Sequence, residues 1–229
     1  MSEQPTAKIR LLIVDDHPLF REGLGQMVSH EPDLVVCGEV AAAEALRVIP
    51  NLKPDLVLME ISLGGTSGLD LIKAIKNAYD DLPVLVISMH DESLYAERSL
   101  RAGAMGYVMK HETGKTVRNA IRKVLGGEMY LSEKMSSAII AKVMHGQGDP
   151  PASMVEILSD RELQVFRMLG QGKGVRLIAQ ELEVAIPTVN SFRNRIKQKL
   201  RLKTATEVIL HSIQCFQGEI ANRGEVKKL

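Results

Sequence analysis

The sequence has few cysteines and no long apolar run, and these shortages exclude several classes of protein. Its two cysteines, Cys37 and Cys215, lie in different halves of the 229-residue chain, so neither a disulfide framework nor a CxxC metal or redox site is available. A reducing cytoplasm fits this usage. Because no apolar stretch approaches the roughly 20 residues that span a bilayer, we expect no signal peptide and no membrane anchor. The six histidines show no spacing typical of a metal site.

The composition indicates a folded chain with two unlike parts. With 45% hydrophobic and 25% charged residues the chain is globular, and its length suits two domains. Residues 1–151 carry 16 Lys and Arg against 20 Asp and Glu, whereas residues 152–229 carry 13 against 8. An acidic first part and a basic second part indicate different partners.

Short β-branched runs alternate five times with segments of helical period over residues 8–125. This alternation predicts parallel strands joined by crossover helices, which is a three-layer α/β domain. The strands are expected near 9–14, 34–39, 55–60, 83–88 and 106–109, and the helices near 18–29, 42–49, 68–77, 92–101 and 113–124.

Polar residues stand where four of these strands end. Asp15 and Asp16 follow the first strand, and Glu60, Ser88 and Lys110 end the third, fourth and fifth. Ligands of an open parallel sheet collect outside the carboxyl ends of its strands, so residues distant in sequence are expected to share one crevice. The sequence therefore predicts an acidic pocket with one lysine.

After the α/β segment, helical periodicity resumes at Ser132 and continues to Met144, which predicts a connector helix. Glycine, proline and small polar residues then cluster over 146–153, a composition typical of a linker. We place the first domain at 1–128, the connector helix and linker at 129–154, and the second domain at 155–229.

The second domain is predicted to be helical throughout. Ser159 and Glu162 have the spacing of a capping box, so a helix is expected to start near residue 160. Residues 175–182 follow the helical apolar period, and Pro187 suits the first turn of a third helix. Two helices with a tight turn between them result.

The third helix has an apolar back and a polar, basic front. Val189, Phe192, Ile196 and Leu200 form the apolar stripe, and no acidic residue occurs from Val184 to Thr206. Amides can pair with adenine edges and cations can neutralise phosphates, so this helix has the character of a major-groove reader. The candidate DNA-contacting residues are Thr188, Asn190, Ser191, Arg193, Asn194, Arg195, Lys197 and Lys199.

These motifs resemble those of the NarL/FixJ family of two-component response regulators. The pocket residues are similar to those of the receiver domain, and the segments 158–163, 178–182, 188–190 and 196–200 are similar to the LuxR-type helix-turn-helix. The resemblance implies a flavodoxin-like receiver with a five-stranded parallel sheet, linked to a small all-α four-helix DNA-binding domain. It implies a transcriptional regulator and not an enzyme.

The resemblance also implies roles for the pocket residues. Asp16, residue 60 and the backbone carbonyl of Ser62 would hold Mg²⁺, with Asp15 acting through water, and oxygen ligands suit this hard cation. Ser88 and Lys110 would contact phosphoryl oxygens. Tyr107 stands at the position of an aromatic switch residue that changes rotamer on activation.

For the second domain, the resemblance implies that Asn190, Ser191 and Asn194 contact bases. Thr188, Arg193, Arg195 and Lys199 would lie near phosphates, and the last helix, 204–216, would supply a dimer contact. The implied partners are a double-stranded DNA operator, a sensor histidine kinase and a second copy of the chain. No membrane is implied.

Glu60 departs from the family at its most important position, because an aspartate there accepts phosphate. A glutamate carboxylate reaches about 1.5 Å further, and in-line transfer tolerates little misplacement, so we expect no efficient phosphorylation. Glu60 either reaches Ser88 or Lys110 and imitates the phosphorylated state, or fills the pocket and leaves the switch off. A phosphoryl group offers more charge and more acceptor oxygens, which favours the second outcome. The sequence leaves open whether Glu60 is a natural or a deliberate replacement.

Other departures keep further alternatives open. Gly174 and Ala185 stand where helix caps usually carry a hydroxyl, and Glu183 stands where the turn usually has glycine; an alanine cap forfeits about 1 kcal/mol. These departures keep open an interaction module that no longer binds DNA. A regulator controlled without phosphorylation and a Mg²⁺-dependent phosphohydrolase that uses the same pocket also remain as alternatives.

Overall fold

The computed structural model describes residues 8–63, 66–145 and 154–225, and the chain divides into two units between Ile139 and Ile140. The expected linker, 146–153, lies outside the described residues. Within the described residues no helix is long and apolar enough to cross a membrane.

The first unit is built on a five-stranded parallel sheet, as predicted. Its strands are β1 (Ile9–Val14), β2 (Leu34–Val40), β3 (Leu56–Met59), β6 (Val84–Ser88) and β7 (Gly106–Met109), in the order β2-β1-β3-β6-β7. The central strands β3 and β6 are buried along their whole length, which explains their continuous apolar sequence. The order of strands reverses between β1 and β3, so a crevice opens at their carboxyl ends.

Five helices alternate with the strands of this sheet, and a sixth helix follows them in the chain. They are α1 (Pro18–Ser29), α2 (Ala42–Leu52), α3 (Gly68–Ala78), α4 (Glu92–Ala102), α5 (Gly114–Leu125) and α6 (Glu133–His145). The side chains of Ser67, Asp91 and Thr113 accept a backbone N–H at the start of α3, α4 and α5, so local capping sets where these helices begin.

A short hairpin that the sequence analysis did not predict lies beside the pocket. Strands β4 (Ser62–Leu63) and β5 (Thr66–Ser67) pair antiparallel immediately after β3. Gly68, which follows the hairpin, approaches the backbone so closely that a Cβ would lie 2.5 Å from Cα of Ile61 and 2.8 Å from the carbonyl oxygen of Glu60. The pairing of the hairpin and the close backbone packing at Gly68 therefore restrict the backbone around Glu60.

The second unit is all helical in its described part. A 3₁₀ turn (Met154–Ile157) precedes α7 (Asp160–Gly170), α8 (Val175–Glu181), α9 (Ile186–Lys199) and α10 (Ala205–Glu225). Helices α7 and α10 pack through the rings of Phe166 and Phe216, whose centroids are 5.9 Å apart. Gly170 permits this approach, because a Cβ there would lie 2.8 Å from the carbonyl oxygen of Ser212.

The residues that precede α7, α8 and α9 provide or lack side-chain caps as the sequence predicts. Ser159 and Glu162 form both hydrogen bonds of the predicted capping box at the start of α7. Gly174 and Ala185, at the starts of α8 and α9, provide no side-chain cap. Glu183, in the turn between these helices, has a φ of +53°, a left-handed conformation that favours glycine. The turn is therefore formed without the residues that usually favour it.

Candidate functional site

The carboxyl ends of β1, β3, β6 and β7 bring four of the predicted pocket residues together. Asp15, Glu60 and Ser88 are buried, and the side chain of Lys110 is only 5% exposed. Lys110 is 95 residues from Asp15 in sequence, yet its ammonium forms ion pairs with the carboxylates of Asp15 and Glu60. The predicted convergence at one edge of the sheet is therefore present in the structure.

Every oxygen of the Glu60 carboxylate is in contact with a donor. Its Oε1 accepts the Ser88 hydroxyl at 2.5 Å, the Ile61 N–H at 2.6 Å and the Ser62 N–H at 3.1 Å. Its Oε2 lies 3.0 Å from Nζ of Lys110. The glutamate therefore reaches both residues expected to contact a phosphoryl group, and it does so at the same time.

The ammonium of Lys110 is held by a buried shell. Besides the two carboxylates, it lies 4.0 Å from the centroid of the Phe20 ring, a cation–π contact. A buried charge is strongly unfavourable unless it is paired, and here two acids and an aromatic face surround it. Lys110 is therefore firmly bound at the centre of the pocket.

The two aspartates after β1 have different surroundings. Oδ1 of Asp15 accepts the His17 N–H at 2.8 Å and lies 3.1 Å from Nδ1 of the exposed His17 ring. Asp16 is half-buried, and its Oδ1 lies 3.4 Å from the N–H of Ala42 at the start of α2. The structure thus places Asp15 in the ion-pair network and Asp16 beside it on the rim.

The expected Mg²⁺ ligands are partly engaged by other groups in this structure. In the described residues no three His, Cys, Asp or Glu side chains are grouped to hold a metal ion. The oxygens of Glu60 already accept from four groups, and the ammonium of Lys110 lies where the acids of β1 and β3 meet. Of the other expected ligands, Asp16 lies beside this network with Oδ1 3.4 Å from the N–H of Ala42, and Ser62, whose carbonyl was expected to bind the ion, lies in the hairpin.

A series of hydrogen bonds connects the pocket to Tyr107. The Ser88 hydroxyl, which donates to Glu60, accepts the His90 N–H at 3.2 Å. The carbonyl of His90 accepts the Tyr107 hydroxyl at 2.7 Å, and the Tyr107 ring is 1% exposed. His90 takes part through its backbone N–H and carbonyl, so its residue type gives no signal of this role.

In the second unit, helix α9 presents the predicted DNA-contacting residues. Val189 and Ile196 are buried on its back, whereas Ser191, Asn194 and Arg195 are exposed. The residues Thr188, Asn190, Arg193 and Lys197 are half-buried. A polar and basic surface therefore lies opposite the apolar stripe, as the helical period predicts.

Two contacts within α9 shape this surface. The Ser191 hydroxyl donates to the Pro187 carbonyl at 3.0 Å, and the guanidinium of Arg195 lies 5.7 Å from the centroid of the Phe192 ring. Phe192 is half-buried, so its ring both packs inward and supports Arg195. The aromatic residue therefore belongs to the apolar stripe and also positions a cation of the polar surface.

Lys199 differs from the other predicted DNA contacts. Its ammonium lies 2.6 Å from Oε2 of Glu162 and 3.3 Å from the Ile157 carbonyl. Burial raises the pKa of Glu162, but the hydrogen bonds from Lys199 and from the Ser159 N–H outweigh it, and the pKa lies below its ordinary value of 4.5. Lys199 therefore ties the end of α9 to the capping box of α7.

Comparison with known proteins assigns both units. Residues 11–122 match the family model "Response regulator receiver domain", and residues 156–212 match the model "Bacterial regulatory proteins, luxR family". The chain is 29% identical over 211 residues to the oxygen regulatory protein NreC of Staphylococcus carnosus (strain TM300). The aligned segment covers 90% of this chain and 97% of that protein.

Two solved structures are also similar. A LuxR-family two-component response regulator from Aurantimonas sp. SI85-9A1 has a TM-score of 0.56 and 31% identity, covering 60% of this chain and 99% of that chain. RcsB from Salmonella enterica serovar Typhimurium, bound to promoter P1flhDC in the presence of phosphomimetic BeF3⁻, has a TM-score of 0.65 and 22% identity, covering 90% of this chain and 98% of that one. At 22% identity, the similarity to RcsB shows a shared fold alone.

Proposed function

This chain belongs to the NarL/FixJ family of DNA-binding response regulators, and we propose that it regulates transcription without accepting phosphate at position 60. The observation that carries the proposal is the contact of one carboxylate, that of Glu60, with both Ser88 and Lys110. The family consists of transcription regulators, and we propose no enzymatic turnover at this pocket.

The contacts of Glu60 oppose phosphorylation. An attacking carboxylate oxygen must approach phosphorus in line, but Oε1 is surrounded by three donors and Oε2 is paired with Lys110. Ser88 and Lys110 are the groups expected to receive the phosphoryl oxygens, and both are already engaged. The pocket therefore offers neither a free nucleophile nor free phosphoryl contacts.

The same contacts support a partial imitation of the activated state. A phosphoryl group would attract the Ser88 hydroxyl and the Lys110 ammonium, and Glu60 attracts both. The Ser88 position is linked through the backbone of His90 to the buried Tyr107 hydroxyl, at the family's switch position. A carboxylate has one charge and two oxygens, so we expect a smaller bias toward the active state than phosphate would produce.

We propose that the second domain binds an operator through the exposed front of α9. Asn190, Ser191 and Asn194 would contact base edges, and Arg195 would contact phosphate, with the remaining cations of the helix nearby. RcsB, with a similar fold, has been seen on promoter DNA, and two copies joined through α10 would suit two half-sites. We expect this chain to bind its operator in the cytoplasm.

Upstream control is proposed to differ from that of phosphorylated relatives. Receiver domains of this family bind Mg²⁺ at the phosphorylation site and take phosphate from a sensor histidine kinase. With Glu60 in place, a kinase can still dock on the receiver, but we expect no transfer. Control of this chain would then rest on its amount or on docking partners.

A comparison of three proteins tests the proposal: this chain, Glu60→Asp and Glu60→Ala. Each is incubated with labelled acetyl phosphate and Mg²⁺, and its affinity for a selected operator is measured by fluorescence anisotropy. We expect phosphate only on Glu60→Asp. We expect the operator affinity of this chain to lie between that of Glu60→Ala and that of phosphorylated Glu60→Asp.

Two results would contradict the proposal. Stable phosphate on the Glu60 chain would show that the glutamate is an acceptor. Equal operator affinity of this chain and Glu60→Ala would show that the carboxylate contributes nothing to activation.

A further inference from the structure

We propose that the ammonium of Lys110 serves as the built-in cation of the receiver pocket, so that this chain has no need of Mg²⁺ there. The inference rests on the proposed function, in which Glu60 stays unphosphorylated.

One lysine pairs with both buried acids of the pocket and offsets one of their two negative charges. The side chains of Asp15, Glu60 and Lys110 are 3%, 2% and 5% exposed, so water does little to screen them. Nζ contacts one oxygen of each acid, and the other oxygen of each accepts N–H or O–H donors. Each carboxylate therefore has both oxygens stabilised without a metal ion.

A magnesium ion would have to dismantle this network. Mg²⁺ requires near-octahedral oxygen ligands at about 2.0–2.1 Å and usually keeps several waters. Asp16, beside the ion pairs, could supply one oxygen, but Asp15 and Glu60 would have to release Lys110 to supply theirs, and its ammonium is buried against Phe20. A dication and an unpaired ammonium would then lie close together, which is strongly unfavourable at low dielectric.

The extra methylene of Glu60 explains why the network closes in this chain. The carboxylate reaches from the end of β3 to Ser88 on β6 and to Lys110 after β7, while it still accepts two N–H groups of its own loop. An aspartate ends one carbon–carbon bond earlier, about 1.5 Å, and cannot make all of these contacts. We therefore expect Glu60→Asp to leave room and free oxygens for a hard cation.

The test is thermal unfolding of the full chain with and without MgCl₂, at constant ionic strength, together with calorimetric titration of Mg²⁺. We expect this chain to give no saturable heat and no change in the Tm of its receiver transition. Glu60→Asp should bind Mg²⁺ and gain about 5–10 °C at saturation. An equal Tm rise in both proteins would overturn the inference.

Lys110→Met provides the converse test, with exposed Lys115→Met as its matched control. Removing the ammonium leaves two buried carboxylates without a cation, so Tm should fall without Mg²⁺ and recover partly when Mg²⁺ is added. Lys115→Met should change neither the Tm without Mg²⁺ nor the Tm with Mg²⁺. If Lys110→Met is as stable as the parent and indifferent to Mg²⁺, the inference is wrong; if it does not fold, the Glu60→Asp comparison decides.

Failure of this inference can be told from failure of the proposed function. Saturable Mg²⁺ binding by this chain, with no uptake of labelled phosphate, would overturn the role of Lys110 and leave a regulator that does not accept phosphate. Uptake of phosphate by this chain would overturn both.

Discussion

The Lys199 ammonium lies 2.6 Å from the Glu162 carboxylate, joining the carboxyl end of the proposed DNA-reading helix to the capping box at the start of α7. Glu162 thus caps a helix with one set of contacts and holds the reading helix with another. The pair makes Lys199 a positioning residue, although its place in the sequence suggests a phosphate contact.

The salt dependence of operator binding distinguishes these two roles. Arg195→Ala should weaken binding and reduce the slope of log K against log salt by about 0.9, the value for one lost phosphate contact. Lys199→Met should leave the slope unchanged while it lowers the stability of the domain by about 1–2 kcal/mol, a value reduced because Lys199 is partly exposed. A slope change of the same size for Lys199→Met would make Lys199 a phosphate contact.

The stability of the second domain should depend on pH through Glu162. Its folded-state pKa lies below the ordinary value of 4.5, so the folded state binds a proton less readily than the unfolded chain does. The stabilisation is complete above that value and is lost as the pH falls through it toward the lower folded-state pKa. Urea unfolding of the parent and of Glu162→Gln at several pH values checks this.

In these measurements, the stability advantage of the parent over Glu162→Gln should shrink as the pH falls from the ordinary value of 4.5 toward the lower folded-state pKa. An advantage that grows as the pH falls would mean that the pKa is raised in the folded state.

A hydroxyl at the start of α9 should stabilise the second domain. Ala185 occupies the cap position with extended backbone and gives no side-chain hydrogen bond, so Ala185→Ser should add about 1 kcal/mol to the free energy of unfolding. Gly174→Ser at α8 is the matched case and should add only a few tenths of a kcal/mol, since glycine is a tolerable cap. Equal gains at both positions would be inconsistent with a capping effect.

Gly68→Ala should disturb the backbone around Glu60. The added Cβ would lie 2.5 Å from Cα of Ile61 and 2.6 Å from its carbonyl oxygen, and backbone atoms cannot yield as a flexible side chain can. We expect a loss of about 2 kcal/mol of stability, typical of overpacking. At Gly23, in α1, an added Cβ would meet no atom within 4 Å apart from its chain neighbours and the backbone of its own helix, so Gly23→Ala should be neutral or stabilising by up to about 1 kcal/mol.

Tyr107→Phe tests the connection between the pocket and the switch position. The ring stays apolar and buried, but the hydrogen bond to the His90 carbonyl is lost, which should cost about 1 kcal/mol of stability. If this bond communicates the Glu60 contacts, operator affinity should fall toward that of Glu60→Ala. Tyr79→Phe, outside this network, is the control, and an unchanged affinity in Tyr107→Phe would separate the tyrosine from activation.

Much of the fold could be predicted because its signals are local. The run Ile9–Val14 and the capping box at Ser159 and Glu162 depend on residues a few positions apart, and both elements were found where expected. The hairpin of β4 and β5 was missed because each strand has only two residues, too few to show an alternating period. Its one signal was the Gly64-Gly65 pair, which favours a tight hairpin turn.

The sequence by itself determined which residues end the strands, and therefore that Asp15, Glu60, Ser88 and Lys110 meet at one edge of a parallel sheet. Only the tertiary structure decided which atoms touch, since Glu60 and Ser88 are 28 residues apart, Glu162 and Lys199 37 apart, and Asp15 and Lys110 95 apart. Strand ends follow from periodicity along the chain. Contacts of 2.5–3.0 Å follow from side-chain length and from the packing of whole elements, which no spacing of residues encodes.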